Sequence, residues 1–125
     1  MDTERKKIRT FKDLIVWQKA IELFKLLFED IKKFPRDRSS FIITDQILRA
    51  VGSISANIAE GFGRKGQKEF AQFLGFSKGS ANESEDWYEK IRILKYMSSA
   101  VVDERIGLIN EIKKMLNVLI SKINS

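Results

Sequence analysis

The sequence predicts an all-α fold, an antiparallel up-down-up-down four-helix bundle, on three observations. Apolar residues recur at spacings of 3 and 4 through four successive segments, the connections between them are short, and no stretch alternates apolar and polar residues as a strand would. The 125 residues, 43% of them hydrophobic, suffice for one domain with a real core. The expected organisation is a basic arm over 1–12 and a bundle over 13–125, with no internal repeat and no low-complexity segment.

In the first helix, about 13–34, Trp17, Ile21, Phe24, Phe28 and Ile31 step by 4, 3, 4, 3 and read as one buried seam. Asp13 is its expected N-cap, and the only proline, Pro35, ends it, because a residue before proline is pushed out of the helical region. The second helix, about 40–61, carries Ile43, Ile47, Val51, Ile54 and Ile58, with Ser39 or Ser40 as its cap. The third, about 67–96, carries Phe70, Phe73, Leu74, Ser77, Ala81, Ser84, Tyr88, Ile91 and Leu94. Its Ala71, Gly75 and Gly79 are spaced by 4, and since each glycine inside a helix costs about 1 kcal/mol relative to alanine, close approach of another backbone is expected there. The fourth, about 99–123, carries Val102, Ile106, Ile109, Ile112, Leu116, Leu119 and Ile123. Met97 and Met115 read as core fillers.

Gly61-Phe62-Gly63-Arg64-Lys65-Gly66 matches the spelling G-x-G-x-x-G, which cradles a pyrophosphate only when a strand runs in and a helix runs out. Here a helical pattern runs in. A P-loop is excluded as well, because Gly66 is followed by Gln67-Lys68. The stretch reads as a helix-helix turn, with Gly61 or Gly63 in the left-handed conformation and Gly66 opening the third helix.

Gln46, Arg49, Ser53, Asn57 and Glu60 form a polar stripe on the otherwise apolar second helix. A hairpin turning near residues 64 and 65 sets positions summing to about 130 side by side, so this stripe faces Ser80 and Glu83, and an Arg49–Glu83 ion pair is expected. Mutual satisfaction along a buried or subunit-facing seam explains the stripe with less than catalysis requires. The chain has no histidine and no cysteine, which removes imidazole bases, thiol nucleophiles, disulfides, and Cys or His metal sites. Glu83, Glu85, Asp86 and Glu89 read as a solvated acidic face. The expectation is a protein that is not an enzyme, with no catalytic residues, no cofactor, no metal and no small-molecule substrate. No leader-like apolar core follows the charged N-terminus and nowhere do about 18 apolar residues run together, so no membrane association and a cytoplasmic location are expected.

Net charge is +6. The surplus lies entirely in residues 1–68, with 15 Lys/Arg against 9 Asp/Glu, while residues 69–125 balance at 8 and 8. In an up-down bundle the arm, the second turn and the end of the fourth helix share one end, which gathers Arg5, Lys6, Lys7, Arg9, Lys12, Arg64, Lys65, Lys68 and Lys122. Such a surface neutralises phosphates by counterion release, so nucleic acid is the expected partner, with RNA placed before DNA; Phe11 and Phe62 beside it serve to stack a base or to plug the helix ends. The other end collects Lys32, Lys33, Arg36, Arg38, Arg92 and Lys95, partly answered by acids. A second reading is an interaction scaffold whose basic surface meets a polymerase or another acidic protein.

Leu14-Ile15-Val16-Trp17-Gln18-Lys19-Ala20, Gln46 with Arg49-Ala50, Ser53-Ile54, Asn57 through Arg64, Glu69-Phe70, Phe73-Leu74, and Gly79-Ser80 with Glu83 closely resemble the 23S rRNA-intervening-sequence protein family over about residues 11–120. The resemblance implies a four-helix bundle assembling as a homopentamer, with no established enzymatic activity. The chain is also similar to accessory proteins of diversity-generating retroelements, which implies a basic bundle that meets nucleic acid and a reverse transcriptase. Ser55, where the family usually has proline, and Gly75 and Asn82, where apolar residues are common, depart from the pattern and touch packing more than charge.

Overall fold

Repeats of apolar residues every three or four positions produce four helices in the computed structural model, which describes residues 7–125. They are α1 (Ile15–Ile31), α2 (Arg38–Phe62), α3 (Gln67–Ile93) and α4 (Ser99–Asn124), preceded by a one-turn 3-10 helix, Phe11–Asp13. No strand occurs among the described residues. Each helix packs on its two neighbours in sequence order around a square, most extensively α2 on α3 and α3 on α4, while the backbones at opposite corners do not meet. The fold is an all-α four-helix bundle.

The cap residues differ in part from those expected. Thr10, not Asp13, begins the first segment: Thr10 Oγ1 accepts from Lys12 N at 3.2 Å and Asp13 Oδ2 accepts from Thr10 N at 3.0 Å, a reciprocal capping box on the 3-10 turn. The 3-10 turn leads into α1, which starts without a side-chain cap. α1 closes at Ile31, three residues before Phe34, because Phe34 leaves the helix to bury itself ahead of Pro35. α2 is capped by Asp37, whose carboxylate accepts from Ser40 N at 2.9 Å, rather than by Ser39 or Ser40. α3 ends at Ile93, not 96, in a Schellman turn: Lys95 N donates to Arg92 O, Tyr96 N donates to Ile91 O, and Lys95 takes a left-handed φ of 60°. Ser98 caps α4 by accepting from Val101 N at 3.3 Å.

The core is formed by Ile47, Val51, Ile54 and Ile58 of α2, Leu74, Ala81, Tyr88 and Ile91 of α3, and Val102, Ile109, Ile112 and Leu116 of α4, as their spacing requires. α1 is rotated from expectation. Its buried seam is Val16, Ala20, Leu23, Leu27 and Asp30, one residue out of phase with Trp17, Ile21, Phe24, Phe28 and Ile31. That second stripe is half-buried on the α1–α2 flank, with Phe28 49% exposed.

The reason for the rotation is Asp30. Its carboxylate, 1% exposed, accepts from Tyr88 Oη at 2.8 Å and from Arg105 Nε and Nη2 at 2.9 and 3.0 Å. Arg105 is itself mostly buried, and its bidentate fork satisfies both carboxylate oxygens, so the charge leaves water only with its partners in place. Tyr88 reaches Asp30 across the diagonal that the backbones leave open. Burial, and then the Asp30 charge and hydrogen bond, push the Tyr88 hydroxyl well above its ordinary value, while the hydrogen bond to Asp30 raises Arg105.

Removing one partner of such a pair strands the other, so Asp30→Ala is expected to cost about 3–5 kcal/mol in urea unfolding at neutral pH. Tyr88 stays protonated in the folded chain where the unfolded chain ionises. Its stabilisation is therefore complete below about pH 10 and is lost above it by up to about 1.4 kcal/mol per pH unit. Unfolding free energies from about pH 8 to about pH 11 should fall less steeply for Tyr88→Phe than for the wild type; parallel curves would contradict this.

Candidate nucleic-acid interface

The glycine-rich turn joins α2 to α3, helix to helix, so no strand supports a dinucleotide cradle. Gly61 sits inside the last turn of α2, and a Cβ there would lie 2.6 Å from Phe73 Cβ and 3.3 Å from Phe70 O. Glycine is needed for space and not for conformation. The left-handed glycine expected at Gly61 or Gly63 is not found: Gly63 is right-handed with φ −78°, and no described glycine has positive φ. Gly66 does open α3. The Phe62 and Phe70 rings close the hairpin edge to face at 6.0 Å, which commits Phe62 to packing.

This close approach fixes the charges of the turn. Arg64 Nη2 lies 2.8 Å from Glu60, its Nη1 lies 3.8 Å from Glu69, and its guanidinium stacks 4.9 Å from the centroid of Phe73. Two carboxylates thus answer one guanidinium, and Arg64 braces the turn. Lys65 and Lys68 are exposed and make no ion pair.

Of the arm, Lys7, Arg9 and Lys12 are exposed cations, while Arg5 and Lys6 lie outside the described residues. The chain here is held by backbone: Arg9 N and Thr10 N both donate to Asp13 Oδ2, and Gln18 Nε2 donates to Lys12 O at 2.8 Å. Phe11 packs edge-on against Trp17 at 5.3 Å, so it too serves packing. The 3-10 turn touches α2, and a largely apolar groove of about 750 Å³ between Leu14, Val16, Met115 and Leu119 sets the start of α1 beside the end of α4. The end thus formed carries Lys7, Arg9, Lys12, Lys65, Lys68 and Lys122 with no ion pair among them.

The polar stripe is brought together only in its middle. Ser53 Oγ hydrogen-bonds Ser80 Oγ at 2.6 Å, Asn57 Nδ2 donates to Ser53 O at 2.8 Å, and the neighbouring Ser77 Oγ donates to Ile54 O at 2.8 Å. The Ser53–Ser80 and Ser77–Ile54 contacts cross the hairpin in the antiparallel register expected, while the Asn57 bond lies within α2. The Arg49–Glu83 pair does not form: Arg49 meets Asp45 at 3.2 Å, one turn away on its own helix. A carboxylate one turn away is a standing neighbour on the same helix face, and such an exposed pair contributes little to stability. Gln46 is half-buried and Glu83 exposed, neither bonded to the serines. The Ser53 and Ser80 hydroxyls bond each other, and Ser53 Oγ also bonds Ala50 O, an arrangement that packs helices rather than activating a nucleophile. No acidic cluster among the described residues is arranged to hold a metal ion, and no helix among them is long and apolar enough to cross a membrane.

The family model described as 23S rRNA-intervening sequence protein matches residues 12–118. The chain is also similar to a solved structure from Bacteroides thetaiotaomicron described as a protein with unknown function from the S23 ribosomal protein family. The two share 27% identity over 86% of this chain and 96% of that one, with a TM-score of 0.79. Comparison with curated proteins finds no match.

Because Gly61 has no room for a methyl group, Gly61→Ala should destabilise the chain by about 1–3 kcal/mol through overpacking against Phe73. Gly75 and Gly79 behave oppositely. Added Cβ atoms there meet nothing within 4 Å, which corrects the expected close packing. Gly75→Ala and Gly79→Ala should each stabilise by about 0.5–1 kcal/mol in thermal or urea melts.

Proposed function

This chain belongs to the 23S rRNA-intervening sequence protein family, and from that premise we propose that it is a non-catalytic, self-associating bundle that binds nucleic acid, RNA in preference to DNA, through its arm end. The observation that carries the reading is the set of unpaired cations there. Lys7, Arg9, Lys12, Lys65, Lys68 and Lys122 have no carboxylate holding them, so phosphate contacts need not break ion pairs first. Arg64 contributes by holding the turn in shape, since Glu60 and Glu69 already answer its charge. A family named for 23S rRNA, and a neighbour described within a ribosomal protein family, favour RNA over DNA.

Self-association is supported by large apolar side chains left in solvent on the flanks, among them Phe28 and Phe76, each 48% exposed or more. The homopentamer implied by family resemblance accommodates them. The same flanks favour the second reading, a scaffold for a polymerase or other protein.

Titrating labelled RNA with protein at several salt concentrations tests the reading. The wild type should bind with log K falling by about 0.7 per single-strand phosphate neutralised, and the double variant Lys65→Glu, Lys68→Glu should bind about tenfold more weakly with a shallower slope. Failure of the wild type to bind at low salt would overturn it in favour of the scaffold.

A further inference from the structure

We propose that the end of the bundle opposite the arm is a second phosphate-binding surface, made by Lys33, Arg36, Arg38 and Lys95, and that the protein bridges two nucleic-acid segments. The inference rests on the reading that the arm end binds nucleic acid.

It comes from where ion pairs are made and where they are not. Along the body, Lys19, Arg49 and Lys113 are paired with Glu111, Asp45 and Glu85 at 3.5, 3.2 and 2.6 Å. At the far end, Lys32, Arg92 and Arg105 take up Glu29, Glu89, Asp103, Asp30 and Glu104. The remaining acid there, Asp37, caps α2. Lys33, Arg36, Arg38 and Lys95 remain exposed and unpaired; outside the two ends, only Lys25 and Lys114 do so among the described residues, with Lys78 half-buried and also without an ion pair. Most cations of the body are neutralised in place, and free positive charge is concentrated at the two poles.

Two connections build the far pole together. The rings of Phe34 and Tyr96 meet at 5.2 Å, tying the α1–α2 loop to the α3–α4 loop. Lys33 precedes Phe34, Lys95 precedes Tyr96, and Arg36 and Arg38 follow at the start of α2. Arg38 lies one turn from Phe41, 58% exposed, whose ring offers a face for a base. Lys95 occupies a left-handed position that glycine fills without strain and an ordinary residue only at about 1–2 kcal/mol. A cation at that position puts charge on the outermost turn of the pole.

The poles are far enough apart to act separately. The 25 residues of α2 span about 38 Å, several times the roughly 8 Å screening length at physiological salt. Phosphates held at one pole therefore do not repel those arriving at the other.

The test is a sandwich assay on the full chain. A biotinylated RNA hairpin of about ten base pairs is immobilised, saturated with protein, washed, and offered the same hairpin carrying a fluorophore. Wild type should retain the second hairpin. The variant Lys33→Glu, Arg36→Glu, Arg38→Glu, Lys95→Asn should bind the first within about threefold of wild type yet retain less than a tenth of the second. Asparagine suits the left-handed site, and an acid at position 38 suits the first turn of a helix, so circular dichroism should show folding intact. If that variant still recruits the second hairpin, as bridging by several arm ends of one assembly would allow, the inference is overturned. It is overturned also if wild type holds the first hairpin and never the second. Wild type failing to hold even the first would overturn the arm-end reading itself.

Discussion

The arrangement of this bundle depends on one buried charge. Asp30 is the only carboxylate in the core of the described chain, and its partners come from two other helices, Tyr88 on α3 and Arg105 on α4. An apolar side chain in its place would bury at less desolvation cost, but it would accept many rotations of α1. A carboxylate accepts one, in which both oxygens meet the guanidinium and one also meets the phenol. That rotation sends Val16, Ala20, Leu23 and Leu27 inward and leaves Trp17, Phe24 and Phe28 on the flank. Orientation of the helix with the least extensive packing is thus decided by a polar contact, and the distribution of apolar surface on the outside follows from it.

This also explains what could be read from the sequence. Three helices carry one unambiguous apolar stripe each, and their cores were legible because a spacing of 3 and 4 allows one inward face. α1 carries two adjacent stripes, and the aromatic one is bulkier and free of charge, so periodicity alone favours it. The signal that would have corrected it was Asp30 in phase with Leu23 and Leu27, a charged residue where a buried one belongs, with an arginine and a tyrosine available elsewhere. No local pattern pairs residues 58 and 75 positions apart. The hairpin register was legible, since a short turn fixes it, and Ser53 does meet Ser80. The Arg49–Glu83 pair was not, because a flexible side chain with a carboxylate one turn away has no need of a distant one. Glycine misled in both directions: Gly75 and Gly79 looked crowded and are open, while Gly61 looked like a conformational hinge and is a spatial one.

The candidate site was legible in composition more than in geometry. The sequence places cations near one another, but only the structure distinguishes those already held by carboxylates from those that are not. Arg64 and Lys65 are neighbours in the chain and differ completely in this respect. The family of the chain agrees with a helical bundle, and no group of acids among the described residues is placed to hold a metal ion. Were phosphates bound on such a surface, as proposed above, the binding energy would come from many weak contacts rather than from one pocket and would be correspondingly sensitive to salt.

α1 is also held in an unusual manner. Its packing on α2 and α4 is less extensive than that within the α2–α3–α4 layer, and its strongest anchors lie near its two ends, the Phe11–Trp17 rings at one and Asp30 at the other. In terms of local opening, its less extensive packing makes such a helix the unit expected to detach ahead of the three-helix remainder. The described end of the arm, from Lys7, runs through the 3-10 turn directly into that helix. A ligand that held the arm more tightly to the docked than to the detached α1 would stabilise that docking and keep the aromatic flank against α2.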